Sequence, residues 1–281
     1  MHDKIAYQEY FKNLLVGNLV ISKERGYGFM DKKSEHLVDM RDIYKFFGKV
    51  VALKGVNFHV GFNETIGLLG DNGAGKSTLI KILTGVYPPS KGKIYLRGEN
   101  ISLRDYSARK AHELGIETVY QEKALGEKQS LWRNIFIGRQ ITNALGFIKI
   151  GEEIEETERI MKELIGFRGV GVLPDSRVNK LSGGERQGIA IGRAMYFDAD
   201  LIILDEPTVA LSLNETQKVL SFIRKIKESG RSCIYISHNI SETYSVSDRF
   251  VFLDRGEIVG EYRRDEISLE DLTERFLMFC K

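Results

Sequence analysis

Gly70-Asp71-Asn72-Gly73-Ala74-Gly75-Lys76-Ser77-Thr78 fits the pattern G-x-x-x-x-G-K-[ST], and its flanks are the ones that pattern demands. Before it, Thr65-Ile66-Gly67-Leu68-Leu69 is a short apolar run suited to a buried strand. After it, Leu79, Ile80, Ile82 and Leu83 recur at helical spacing. Strand, glycine-rich turn and helix together make a phosphate-binding loop. The glycines let the backbone turn tightly and aim successive N–H groups at phosphate oxygens, and the helix points its positive dipole end at the same anion. Lys76 would set a point charge against the β- and γ-phosphates, and the Ser77 hydroxyl would be a magnesium ligand.

Downstream, Leu201-Ile202-Ile203-Leu204-Asp205-Glu206-Pro207 is an apolar strand that ends in two carboxylates. Consecutive apolar residues imply burial on both faces, which puts Asp205 and Glu206 at the exposed edge of the sheet. Asp205 suits a magnesium-organising carboxylate; Glu206 suits a base or water-positioning group beside a γ-phosphate. The strand-like Ser232-Cys233-Ile234-Tyr235-Ile236 likewise runs into Ser237-His238, and Ile116-Glu117-Thr118-Val119-Tyr120 into Gln121. Polar side chains at the carboxyl ends of strands sit where open α/β sheets place their chemistry.

Between these strands stands Leu181-Ser182-Gly183-Gly184-Glu185-Arg186-Gln187. Ser182 and Glu185 have the capping-box spacing of a helix start. The two glycines add N–H groups open to an anion, at some cost to the first turn. Upstream, Leu37–Met40, Val50–Leu53 and Val56–Val60 read as strands, with Tyr44-Lys45-Phe46-Phe47-Gly48 between the first two. Phe47 is placed to stack on a purine ring; ordinary sheet packing is the alternative.

The remaining segments are less specific. Residues 122–180 hold helical patterns at about 131–136 and 152–165. Their acidic run Glu152, Glu153, Glu155, Glu156 and Glu158 reads as a solvated helix face, and Trp132 as a buried side chain or a groove lining. A hairpin around Asp254-Arg255-Gly256 and a helix over about 268–279 follow. For residues 1–36, one reading is an amphipathic helix over about 5–16. Another is a translation start at Met30, preceded by Lys23-Glu24-Arg25-Gly26, whose codons can resemble a ribosome-binding site.

The net charge is +2, from 41 Lys+Arg against 39 Asp+Glu, so no global field steers the chain to nucleic acid. Two cysteines, Cys233 and Cys280, make no disulfide framework and fit a reducing compartment. Apolar runs such as Leu201–Leu204 fall far short of the ~20 residues that span a bilayer.

Taken in this order, GDNGAGKST, Gln121, LSGGE, LIILDE and His238 resemble the ATP-binding cassette (ABC) ATPases, from residue 37 to about 265. LSGGE downstream of a glutamine-bearing strand is the most specific element. The resemblance implies an α/β fold: a P-loop NTPase core of mostly parallel sheet and flanking helices, an N-terminal antiparallel β subdomain and a helical signature subdomain. It divides the chain into an extension, 1–36, and a nucleotide-binding domain, 37–281, with the helical subdomain at about 122–197. It implies ATP and Mg2+ as ligands. The implied roles are adenine stacking for Phe47, and a phosphate cradle from Gly70 and from Asn72, Gly73, Ala74, Gly75, Lys76, Ser77 and Thr78. Ser77, Gln121 and Asp205 would contact magnesium, Glu206 would be the general base, and His238 would sense the γ-phosphate. Ser182, Gly183 and Gly184 would serve a second copy, because cassettes of the family pair head to tail around ATP. One P-loop and one signature therefore imply a homodimer.

Within the family, Val119–Glu122, Trp132–Arg139, Phe167–Val172, Gly184–Gly188 and Ser237–Asn239 look like the ATPases of monosaccharide importers, in their single-cassette form. That implies a membrane permease as partner, an extracytoplasmic sugar-binding protein acting through it, a peripheral place on the cytoplasmic face of the membrane, and no nucleic acid. A soluble cassette acting on DNA or ribosomes, or a nucleotide-gated scaffold, are the alternatives. The short stretch between Gln121 and Leu181 speaks against the first, and Glu206 with His238 against the second. Too little chain follows His238 for the regulatory domain that some oligosaccharide-importer ATPases carry. One departure stands out. Ser212 occupies the position, in a loop crossing the dimer interface, where the family usually has aspartate, which implies tuned communication between sites more than lost hydrolysis.

Overall fold

The structure is a computed structural model that describes residues 34–119, 125–165 and 172–279. Residues 1–33 lie outside the described residues, and with them both readings of the segment 1–36, as does Gln121.

A four-stranded antiparallel sheet, in the order β2-β1-β4-β5, joins β1 (His36–Phe47), β2 (Val50–Gly61), β4 (Lys91–Leu96) and β5 (Glu99–Asn100). The runs expected as separate strands at 50–53 and 56–60 are one strand. Gly55 at φ +77° carries the chain through the irregular register between β1 and β2, a bend that glycine makes without strain.

The six-stranded sheet runs β10-β9-β3-β8-β7-β6. It comprises β3 (Thr65–Leu69), β6 (Ile116–Val119), β7 (Leu201–Asp205), β8 (Ser232–Ile236), β9 (Arg249–Asp254) and β10 (Glu257–Arg263), all parallel except β10. Burial of β7 on both faces has a direct explanation. Ile202 and Leu204 join one core with Cys233 and Tyr235 of β8, while Leu201 and Ile203 join the other with Ile234 and Ile236. Each such side chain, wholly removed from water, contributes about 1.5–3 kcal/mol. Burial also pushes the Cys233 thiol up, which makes it inert packing.

Helices cover the sheet. They are α1 (Lys76–Leu83), α2 (Ala108–Glu113), α3 (Leu131–Phe136), α4 (Ile150–Arg159), α5 (Gly183–Tyr196), α6 (Leu213–Glu228), α7 (Ile240–Val246) and α8 (Leu269–Phe279). A π-helical turn, Ile160–Ile165, extends α4. Trp132 is buried and donates its indole N–H to Asp175 at 2.8 Å, which answers the choice between core and groove. The acidic run of α4 departs from expectation at one position. Glu153 is 1% exposed and accepts the Ile141 N–H at 2.9 Å, so this acid satisfies a loop donor while Glu152, Glu155 and Glu158 face water. No helix among the described residues is long and apolar enough to cross a membrane.

Candidate functional site

The strand order brings the site together. β3, β8 and β7 are neighbours and parallel, with Leu68 beside Ile236 and Asp205 beside Ile236. The turn after β3, His238 after β8 and Glu206 after β7 therefore emerge side by side at one carboxyl edge.

The turn after β3 needs its glycines for space as well as for conformation. Gly70 has φ +154°, and a Cβ there would stand 2.2 Å from the Leu253 carbonyl oxygen. Gly75, at φ +110°, is the N-cap residue of α1, and no side chain caps that helix. Its first-turn N–H groups are thus kept for an outside acceptor. Asn72, Gly73 and Ser77 are exposed, Thr78 is half-buried and Ala74 is buried beneath the turn. Lys76 is 9% exposed, and its ammonium donates to the carbonyls of Gly70 at 2.7 Å and Asp71 at 3.0 Å. A cation held on the inner rim of an N–H-lined turn is a cradle for a polyanion.

Opposite, Asp205 is half-buried. Burial raises its carboxyl above the usual range and the charge of Glu206 adds to this, while Lys76 and Lys81 pull the other way. Asp205 feels the charge of Lys76, the neighbour of the exposed Ser77, and a carboxylate and a hydroxyl are oxygen donors of the type Mg2+ takes together with phosphate oxygens. Glu206 sits at φ +51°, with its N–H bonded to the Ile236 carbonyl at 3.0 Å. This left-handed turn lifts its carboxylate out of the strand direction, and Oε2 meets His238 Nδ1 at 2.9 Å.

A polar network behind the pair fixes both loops. Glu242 accepts from the Thr208 hydroxyl at 2.7 Å, from the Tyr235 hydroxyl at 3.0 Å and from the Asn239 amide at 2.8 Å. Thr208 follows Glu206 closely and Asn239 adjoins His238, so one carboxylate spans the two segments that carry the pair. Spacing alone could have found it, since Asn239 caps α7 with Glu242 three residues on.

Phe47 lies at the tip of β1, 44% exposed. Its ring meets Tyr87 edge-on at 5.7 Å between centroids and carries the Lys45 ammonium at 5.1 Å. Phe47 thus lies at an exposed edge, in contact with Tyr87 and Lys45 and not inside the sheet core.

Ser182 caps α5 with both halves of the expected box: its hydroxyl accepts the Glu185 N–H at 3.2 Å, and its own N–H goes to Glu185 at 2.9 Å. Ser182 is exposed, Gly183 half-buried and Gly184 buried.

Comparison with known proteins decides the family. The profile of the ABC transporter family matches residues 53–209. The chain is 41% identical over 246 residues to a xylose/arabinose import ATP-binding protein of Sulfolobus acidocaldarius, covering 87% of this chain and 95% of that one. The chain belongs to the ABC transporter family.

A ribose import ATP-binding protein of Caldanaerobacter subterraneus is 35% identical over 238 residues, and there this ABC chain spans only 47% of the relative's length. Among solved structures, a nucleotide-free ATP-binding cassette of an ABC transporter superposes with a TM-score of 0.72 at 23% identity, covering 86% of this chain and 95% of that one. A dimeric post-hydrolysis cassette bound to ADP and phosphate gives 0.67 at 23% identity, covering 81% and 98%. These two bear on the fold, which is that of an ABC ATPase.

The ABC chain also explains its unusual Ser212. This residue is the N-cap of α6, and it forms a second capping box with Glu215. Ser212 and Glu215 have the same three-residue spacing as Ser182 and Glu185, although the sequence reading takes only the latter pair as a cap.

Proposed function

We propose that this chain is the ATP-hydrolysing subunit of an ABC importer for a monosaccharide. It works as a head-to-tail homodimer on the cytoplasmic face of a membrane permease, which an extracytoplasmic sugar-binding protein supplies. The observation that carries the enzymatic part is the Glu206–His238 pair, 2.9 Å apart at the strand edge that also bears Lys76 and Asp205. The sugar class rests on relatives that import pentoses, one of them matched over nearly its whole length.

Lys76 exchanges the Gly70 and Asp71 carbonyls for the β- and γ-phosphates, and the N–H groups of the turn and of α1 take the remaining oxygens. Phe47 stacks on the adenine. Ser77 and Asp205, with Gln121, would hold Mg2+, which when bound would neutralise charge on the transferring phosphoryl group. Glu206 orients the attacking water and receives its proton. His238 keeps the Glu206 carboxylate in place and turns to the γ-phosphate when ATP is bound. Ser182, Gly183 and Gly184 complete the site of the second copy.

Glu206→Gln tests the chemistry. It keeps the shape and the magnesium ligands but removes the base, so MgATP binding should persist while hydrolysis falls on the order of 100-fold or more. Hydrolysis at the native rate would remove Glu206 from this role. Gentle solubilisation of the tagged chain from its host membranes tests the rest, with a polytopic permease expected in equal amount. Recovery with ribosomes or nucleic acid alone would overturn the importer.

A further inference from the structure

Two helix starts in this chain share one carboxylate. Glu215 Oε2 accepts the Ser212 N–H at 3.0 Å and the Ser212 hydroxyl at 2.8 Å, which closes the cap of α6. Its other oxygen reaches across the structure: Oε1 accepts the Gly184 N–H, in the first turn of α5, at 3.2 Å. The Ser182 hydroxyl adds to these donors, and together they hold the Glu215 carboxyl down at about 2, with the Ser212 backbone N–H the largest contributor. The contact is built in by steric fit. A Cβ on Gly184 would stand 3.1 Å from Glu215 Cβ and 3.3 Å from its Cα, and one on Gly183 would stand 2.4 Å from Leu211 Cδ2. Both glycines thus let the loop 211–215 lie close against the start of α5 within a single chain.

This arrangement conflicts with the role of the same donors in the dimer. An N–H directed at one carboxylate oxygen cannot serve a second anion equally well, and two anions at one helix start repel each other. We infer that the Glu215 carboxylate is a built-in surrogate anion: it occupies the Gly184 and Ser182 donors in the lone chain and yields them to the γ-phosphate of the second copy's ATP. The inference rests on the dimeric reading above and adds a residue to it. Glu215 keeps its Oε2 bonds to Ser212 when Oε1 leaves, so it is displaced without being freed. Its release loosens the loop 209–213, whose Val209 and Leu213 are exposed and whose Ala210 is left-handed at φ +62°. Arrival of phosphate at α5 and adjustment of the crossing loop thereby become one event.

The test compares the full-length wild type with Glu215→Gln, Glu215→Ala and Ser212→Ala, using sedimentation velocity against MgATP and against MgADP, which has no γ-phosphate. Glu215→Gln should lower the MgATP concentration for half-maximal dimerisation about fivefold to tenfold, the factor expected for removing one charge-assisted competitor. MgADP binding should stay unchanged. Glu215→Ala should show the same gain, and Ser212→Ala, which weakens the α6 cap but keeps the carboxylate on Gly184, should not. A purely structural clamp predicts the reverse: weaker MgATP-driven dimerisation of both Glu215 variants. That result, or no change, would overturn the surrogate. A wild type that does not dimerise with MgATP would instead overturn the dimeric reading beneath it.

Discussion

The starts of α1 and α5 face the same physical problem and answer it oppositely. Each leaves backbone N–H groups without helical partners, and each is entered through glycine. At α1 no side chain caps the helix, and the local cation, Lys76, lies against carbonyls of its own turn. At α5 the donors are taken by Ser182, Glu185 and Glu215. The first is a receptacle held open by the fold. The second is self-satisfied in a single chain and becomes a binding surface only through exchange. Glycine marks both, for different reasons: backbone against backbone at Gly70, backbone against side chains at Gly183 and Gly184.

The largest effect should come from Gly70→Ala. Its Cβ would press on the Leu253 carbonyl at 2.2 Å, and neither strand can give way. Strain and overpacking together should cost about 3 kcal/mol or more in urea unfolding, and MgATP binding should be lost. Gly183→Ala is the counterpart at the other helix start. There the obstacle is the end of a leucine side chain at 2.4 Å, which can rotate. The expected cost is about 1 kcal/mol, with MgADP binding intact and MgATP-driven dimerisation weakened on the order of tenfold. Equal losses of stability would erase the distinction between an open and a self-satisfied helix start.

Much of this contrast was readable in the sequence, but unevenly. The P-loop was legible because its spacing is dictated by phosphate, and β7 because four apolar residues in a row must fill two cores. Ser182 and Glu185 were legible as a local cap, since a capping box depends on four residues only. What escaped was the second use of each acid. Ser212 and Glu215 have the same spacing, yet the reach of Glu215 to Gly184 depends on how α5 and α6 cross. Glu153 reads as a solvated acid in the sequence, because charge says nothing of a loop N–H, at Ile141, that needs an acceptor. The strand through Phe46 and Phe47 was missed because pairing with β2, more than any residue preference, extends it.

The smallest effect is also the most discriminating, because it has opposite signs at the two sites. Glu215 has a depressed carboxyl, so its stabilisation is present above its ordinary value of 4.5 and is lost as pH falls through about 2. Asp205 is raised above its ordinary 3.8, chiefly by burial, so the fold prefers it protonated; its favourable contribution exists below that value and is lost as pH rises through the raised one. At neutral pH without nucleotide, Asp205→Asn should therefore raise the melting temperature, and Glu215→Gln should lower it. Melts between about pH 4 and pH 8 should show the Asp205→Asn gain growing with pH over the lower part of the range, while the Glu215→Gln deficit shrinks toward the acidic end. MgATP should reverse the first sign, since a bound cation and phosphate give the Asp205 carboxylate the partner that burial denies it. A destabilised Asp205→Asn in the nucleotide-free chain would mean that this carboxylate already has its donors, and that the ATP end of the molecule, like the α5 end, is satisfied from within.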